Sequence, residues 1–477
     1  MKDFLEGLVQ KALDQGASYA DARRVRRRTE NIFVRDGKLE QVGLEETEGY
    51  NLRVLVDGSF GFAASYDFDK PEKVVSDAVG IARASANVNK KKIEWLHQPP
   101  VSGHYEGPME IDPFTVPLDK KVSLLLEADK VMATKPQLKH REHFLQFWEE
   151  EKEFFSSEGS YVTQHYVESG GQIQCTAMEG TQMQVKSYPN SFGDFRKAGW
   201  EFIEEMDFVH HAEEVADLAV ALLTAPNLPQ GVANIIILGP QLSLQVHESV
   251  GHATELDRVL GYEASYAGTS FATLDNLGKL QYGSPAMNIT SDPTLPYGLG
   301  SFGWDDEGTP AHQVYLIKEG LLVDYLSDRE TSAQIGHSSS GASRGDGWWS
   351  LPIVRMTNVN LLPGDKTLEE LMDMAGEGYM FDINKNWSID DKRLNFHFGS
   401  EAAWEIKNGK KGRLYKNPSY WGITPEFWNS LVAVAGPQEW RVWGLPNCGK
   451  GEPGQVMRVA HGTAPALFKN IKVGGNE

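Results

Sequence analysis

The stretch His247-Glu248-Ser249-Val250-Gly251-His252 sets two metal-ligating imidazoles around a carboxylate. It approaches the helical zinc motif His-Glu-x-x-His, in which histidines four apart hold the ion and the glutamate works on water. Here the spacing is one residue longer. An α-helix turns about 100° per residue, so residues five apart stand roughly 140° from each other and cannot both reach one ion. Two local departures would bring them together: a π-turn, which inserts one residue into a turn, or a break in the helix at Gly251. A metal ion lowers the pKa of water, and Glu248 is placed to take the proton. Catalytic zinc usually has three protein ligands and one open position. The nearby candidates for the third ligand are Glu255 and Asp257. The distant one is Cys448, in "GLPNCGKGEPGQ", whose flanking glycines read as a loop. A lone cysteine is also an ordinary small core residue, and Cys175, in the alternating "GGQIQCTAM", takes that reading.

The elements that must position these residues can be traced along the chain. A β-branched run, "VANIIILG", leads straight into Gly239-Pro240. Proline is favoured in the first turn of a helix, so the helix bearing the motif starts there. Three units follow from composition: an N-terminal α+β unit over 1–96, a middle α+β unit over 114–225, and a β-rich C-terminal unit over 226–477 that carries the metal-site helix. In the first, Phe4, Leu5, Leu8, Val9, Ala12 and Leu13 share one helix face, ended by Gly16. Strand-like runs joined at Asp36-Gly37 and Asp57-Gly58 predict hairpins, as do Glu319-Gly320 and Asn408-Gly409 further on. "PEKVVSDAVGIARASA", "LDKKVSLLLEADKVMATK" and "AEEVADLAVALLTA" read as helices, and the polar, proline-bearing stretch 97–113 reads as a linker. The fold class is therefore α+β.

Composition excludes several classes of function. The chain has 477 residues and a net charge of −20, with 40% hydrophobic and 23% charged residues. That balance argues against binding a nucleic-acid backbone, which calls for clustered Lys and Arg. The short basic run "RRVRRRTE" at 23–30 reads as a solvated strand face. The apolar runs are about five residues long, far short of the roughly 20 that span a bilayer, and the first residues do not form a signal peptide. Two cysteines make no disulfide framework and suit a reducing compartment, so a cytoplasmic protein is expected.

Taken in order, "VRDGKLEQV", "RVLVDGSFGFAAS", "SSEG", "HESVGHATELDRV", "DDEGTPA", "LPIVRMTN", "PGD" and the terminal "CGKGEPGQ" with "VGG" resemble the TldD branch of the TldD/PmbA family over nearly the whole chain. These are metal-dependent peptidases long named as modulators of DNA gyrase. The resemblance implies a zinc ion held by His247, His252 and Cys448, with Glu248 as the catalytic glutamate. It also implies a homodimer, or a heterodimer with a PmbA/TldE-type paralogue that lacks the His-Glu motif. Its implied substrates are unfolded or small peptides, including peptide-antibiotic precursors and antitoxin fragments. The gyrase name sits poorly with direct DNA contact at this charge; any such link would run through peptide or protein substrates.

On that reading Glu248 takes a proton from the attacking water and delivers it to the departing amine. A thiolate ligand donates more charge to the metal than an imidazole, so modest activity is expected. Asp257 is expected to orient a ligating histidine. Asp305 and Asp306 of "DDEGTPA" would position substrate or form an acidic turn. Arg355 would pair with a substrate carboxylate or with one of those acids. His461, in "RVAHGTAP", reads as incidental rather than as a fourth ligand. The competing functions are a non-catalytic peptide-binding scaffold or partner subunit of an active paralogue, and a metal hydrolase acting on esters or non-peptide amides.

Overall fold

The computed structural model describes residues 1–475. All four Gly-containing turns form as the sequence predicts. Asp36-Gly37, Asp57-Gly58, Glu319-Gly320 and Asn408-Gly409 have positive φ at both residues, the backbone of a two-residue type I′ hairpin. They set the register of long strands.

The first helix, α1 (Lys2–Asp14), buries Leu5, Leu8, Val9 and Ala12. It is followed by β1 (Tyr19–Arg35), β2 (Lys38–Val56), β3 (Ser59–Ser65) and α2 (Pro71–Val88). After β4 (Ser102–Glu106) come α3 (Leu118–Met132), β5 (Leu138–Ser156) and β6 (Tyr161–Glu179). Then come β7 (Gln182–Tyr188), β8 (Asp194–Arg196), α4 (Trp200–Met206) and α5 (Phe208–Thr224). All eight strands belong to one sheet, ordered β3-β2-β1-β5-β6-β4, with β7 and β8 also on β6. The first two units of the sequence reading thus share a sheet: β1 pairs with β2 on one side and with β5 on the other, Asp21 lying opposite Ser156. The 97–113 stretch is not wholly a linker, because Ser102–Glu106 pairs in parallel with Tyr161–His165 of β6. An isolated pentapeptide with little apolar content carries no strand signal of its own; the exposed edge of β6 orders it.

Side chains alternate across β1, and the two faces have different fates. Ala20 and Ala22 join the core under α1 and α2, and Ile32 and Val34 join the core formed with α3 and α5. Asp21 and Arg23 point the other way and are buried. Arg23 Nη1 lies 2.8 Å from Asp306, and Arg53 of β2 bridges Asp21 and Glu307. The basic run is therefore solvated on one face only. Arg24 and Arg26 pair with Glu48 and Glu46 at the surface, while Arg23 anchors the C-terminal unit.

In the C-terminal unit β9 (Gly231–Ile237) lies inside a nine-stranded sheet. It pairs in parallel with Glu377–Phe381 and antiparallel with Ala466–Gly475. Ile235, Ile236 and Ile237 are fully buried in the largest core. The motif helix α6 (Gly239–Val246) leaves β9 at once, with proline in its first turn. A separate hairpin, Arg441–Lys450 with Gln455–Thr463, lies against α6. No helix among the described residues is long and apolar enough to cross a membrane.

Candidate metal centre

The extra residue in His247–His252 becomes a π-turn. After α6, residues His247–Gly251 adopt π-helical geometry, and the His252 N–H bonds to the His247 carbonyl five residues back. A short 3₁₀ turn, His252–Thr254, follows. Widening a helix weakens its own ladder, and side chains make good the difference. The Tyr282 hydroxyl donates to the Ser249 carbonyl, and Thr254 Oγ1 donates to those of Val250 and Gly251, at 2.9 and 3.2 Å. The result is that the two imidazoles meet edge to face, ring centroids 4.8 Å apart.

Gly251 is required by packing rather than by backbone conformation. A Cβ there would stand 2.2 Å from Met356 Sδ and 3.3 Å from its Cγ, and Met356 is fully buried. Gly251→Ala is expected to destabilise the protein by about 1–3 kcal/mol through overpacking and to shift the π-turn. Urea unfolding of the metal-free variant measures this; an unchanged midpoint would show that Met356 yields freely.

Cys448 completes the cluster. One ligand atom from each of His247, His252 and Cys448 lies within 4.8 Å of the others, and all three residues are buried. The fit to zinc can be tested by distance. Bonds of about 2.3 Å to sulfur and 2.1 Å to nitrogen, meeting near the tetrahedral angle, hold the two atoms about 3.6 Å apart; Cys448 Sγ lies 3.7 Å from His252 Nε2. The residues fit. Cys448 sits not in an exposed loop but on the strand Arg441–Lys450, 2% exposed. A register shift between Leu445 and Cys448 marks a bulge in its hairpin, which re-aims the side chain. The flanking glycines, read from sequence as loop signals, belong to this irregular strand.

The surroundings suit metal ligation. Burial drives both imidazoles neutral, His247 down to about 4 and His252 well below its ordinary value. Burial alone would raise the Cys448 thiol, but its neighbours, first His252 and then Arg355, outweigh it and leave it lowered. Arg355 Nη2 donates to the Cys448 carbonyl. This corrects the expectation that Arg355 pairs with Asp305 or Asp306: it is fully buried and donates to the Cys448 backbone instead.

The polar contacts around the ligands differ from those expected. Glu255, not Asp257, orients His252: its Oε2 lies 2.8 Å from His252 Nδ1. Asp257 instead takes Lys450 Nζ on both oxygens, at 2.7 and 2.8 Å. Its helical turn points it at the hairpin, whereas Glu255, just before that turn, faces back to the histidine. Burial would lower the Lys450 ammonium, but Asp257, Glu255 and Glu263 hold it raised. Lys450 thus links the Cys448 strand to the acids behind His252; the sequence hinted at it only through "CGK". Two further residues were missed or misread. Arg393, in a turn between strands and at φ 61°, donates from Nη1 to Glu248 Oε2 at 2.6 Å. His461 is not incidental: it is buried, with Nε2 2.8 Å from His247 Nδ1 and Nδ1 2.9 Å from the Val359 carbonyl.

The expectation that Asp305 and Asp306 position substrate gives way to the acidic-turn reading. Asp305 accepts backbone N–H bonds from Glu307 and Thr309, both at 2.9 Å, and burial with neighbouring Glu307 raises its carboxyl to about 8. Asp306 holds Arg23 and Lys152, whose charges outweigh burial and keep it lowered.

Residues 20–82, 111–223 and 231–475 match, in order, domain 1, the central domain and the C-terminal domain of PmbA/TldA metallopeptidases. A metalloprotease of Methanocaldococcus jannaschii is 28% identical over 95% of this chain and 96% of its own length. A zinc metalloprotease TldD homolog of Saccharolobus solfataricus is 24% identical over 98% of this chain and 99% of its own. The fold is shared with TldE of Thermococcus kodakarensis, at TM-score 0.71 and 18% identity, over 99% of this chain and all of that one. A Thermotoga maritima protein named for modulation of a DNA gyrase aligns at TM-score 0.77 and 18% identity, over 99% of both chains. With all three domains matched in order and the C-terminal match alone covering half the sequence, the chain belongs to the PmbA/TldA metallopeptidase family.

Proposed function

We propose that this chain is a zinc-dependent peptidase of the TldD type, hydrolysing unfolded or small peptides, with His247, His252 and Cys448 as ligands and Glu248 as general base. The observation that carries this reading is the convergence of two neutral imidazoles and a thiol across the π-turn that also bears Glu248. Zinc held there supplies Lewis acidity toward water and the scissile carbonyl.

The chain's own residues do the rest. Glu248 takes a proton from the attacking water on its carboxylate and passes it to the departing amine nitrogen. Arg393 fixes the glutamate through Oε2, leaving Oε1 to receive the proton. Both groups are largely buried, which strengthens their interaction and limits stray water. On the strand that carries Cys448, Pro446 and Asn447 line a crevice of about 560 Å³ with Phe33, Phe144, Trp148 and Phe192, a size and lining suited to a short peptide segment. Assembly as a homodimer or with a PmbA/TldE-type paralogue belongs to the same reading, supported by the shared fold with TldE.

The test is metal dependence on an unfolded fluorogenic peptide, alone and with such a paralogue. Cleavage is expected to vanish on chelation and to return with one equivalent of zinc. A chelated protein that cleaves at the untreated rate would refute the proposal.

A further inference from the structure

One hairpin grips the π-turn at two points. Its first strand carries Cys448; its second carries His461. Cys448 lies opposite Met457, and Trp443 lies opposite His461. Side chains alternate along a strand, so Met457, Val459 and His461 share the face that Cys448 uses. His461 then reaches His247 on one side and the Val359 carbonyl on the other.

The carbonyl decides where the protons are. A carbonyl only accepts, so His461 must donate to Val359 from Nδ1. In a neutral imidazole the other nitrogen is then an acceptor, so His461 Nε2 accepts and His247 Nδ1 donates. The lone pair of His247 is therefore on Nε2, the nitrogen that His461 does not engage. Nothing in the π-turn itself selects that tautomer.

We propose that His461 is a positioning residue: through the relay Val359 carbonyl–His461–His247 it holds His247 as the Nδ1–H tautomer and aims Nε2 into the metal centre. This rests on the metal-centre reading above. The relay differs in kind from the support of His252, whose Nδ1 meets the carboxylate of Glu255. One histidine ligand is backed by a charged group and the other by a neutral one. With the thiolate already present, a neutral support limits the negative charge accumulated around the cation. His461 is not a fourth ligand, because its Nε2 is taken by His247 Nδ1 and its Nδ1 by the Val359 carbonyl.

The test compares wild type, His461→Leu and His461→Gln. In metal-free protein with ¹⁵N-labelled histidine, long-range ¹H–¹⁵N spectra report the His247 tautomer; chelator competition gives zinc affinity, and cobalt substitution reports ligand geometry by its visible spectrum. Wild type is expected to show His247 with its proton on Nδ1. His461→Leu is expected to lose that signal, to bind zinc about 10- to 100-fold more weakly and to change the cobalt spectrum. His461→Gln, whose side-chain oxygen can still accept, is expected to recover most of both. A wild-type His247 protonated on Nε2 overturns the proposal. So does His461→Leu with unchanged affinity and spectrum, or a glutamine variant as impaired as leucine although both melt like wild type without metal. If His461→Leu does not fold, the wild-type tautomer and the glutamine variant decide. Equal zinc binding in wild type and His461→Leu refutes this inference alone; a wild type that binds no zinc refutes the metal-centre reading with it.

Discussion

Glu248→Gln is expected to lower kcat for peptide cleavage by about 10²- to 10⁴-fold, the contribution of a positioned general base, while zinc content stays at the wild-type level. The glutamine keeps the length of the side chain and an oxygen that can accept from Arg393 Nη1, which now bonds Glu248 Oε2 at 2.6 Å. It loses only the ability to take a proton from water. Because that ability is used in the transition state, kcat and kcat/KM should fall together with KM little changed. Steady-state kinetics on an unfolded peptide, beside elemental analysis of the same preparation, would measure both. Wild-type kcat in a fully metallated variant would exclude Glu248 as the base. Loss of metal with loss of activity would instead give the glutamate a place in holding the site.

The second large effect is expected at Cys448. Structural zinc is bound with about 10–16 kcal/mol over a full ligand set, so one protein ligand accounts for roughly 3 kcal/mol, or on the order of 10²- to 10³-fold in affinity. Cys448→Ser removes that ligand, because a serine hydroxyl stays protonated where the thiol is lowered by His252 and Arg355. The fold should survive, since the change is nearly isosteric in a residue packed in the C-terminal core. Chelator competition would read the affinity directly. The thermal stabilisation produced by added zinc should shrink in step, as linkage requires. A variant that retains a full complement of tightly held zinc would remove the cysteine from the centre.

How much of this was legible depends on the range of the interactions. A departure from the regular helix at His247–Gly251 follows from a spacing argument: five residues on a regular helix cannot aim two side chains at one point, so the helix must widen or break. Positive-φ turns at Asp36-Gly37 and Asn408-Gly409 were equally readable, since glycine and its neighbour announce their own backbone. The residue pattern alone left the third ligand open among Glu255, Asp257 and Cys448, and family resemblance, not spacing, pointed to the cysteine. The supports of the site were misplaced or missed. Glu255 and Asp257 are two residues apart with the same chemistry, and the turn beginning at Leu256 sends one to His252 and the other to Lys450.

By itself the sequence determined what is local: the helices, the tight turns, and two histidines flanking an acid at a spacing that a regular helix cannot bring together. The structure resolved that spacing as a widened turn rather than a break. Only the tertiary structure decided what completes and tunes that site. Cys448 comes from 196 residues away, Arg393 from 145 and His461 from 214. The physical reason is that backbone conformation is set by neighbours a few residues apart, whereas these contacts depend on how a hairpin docks on a helix. That docking is set by the shared burial of many apolar side chains, and no single residue records it.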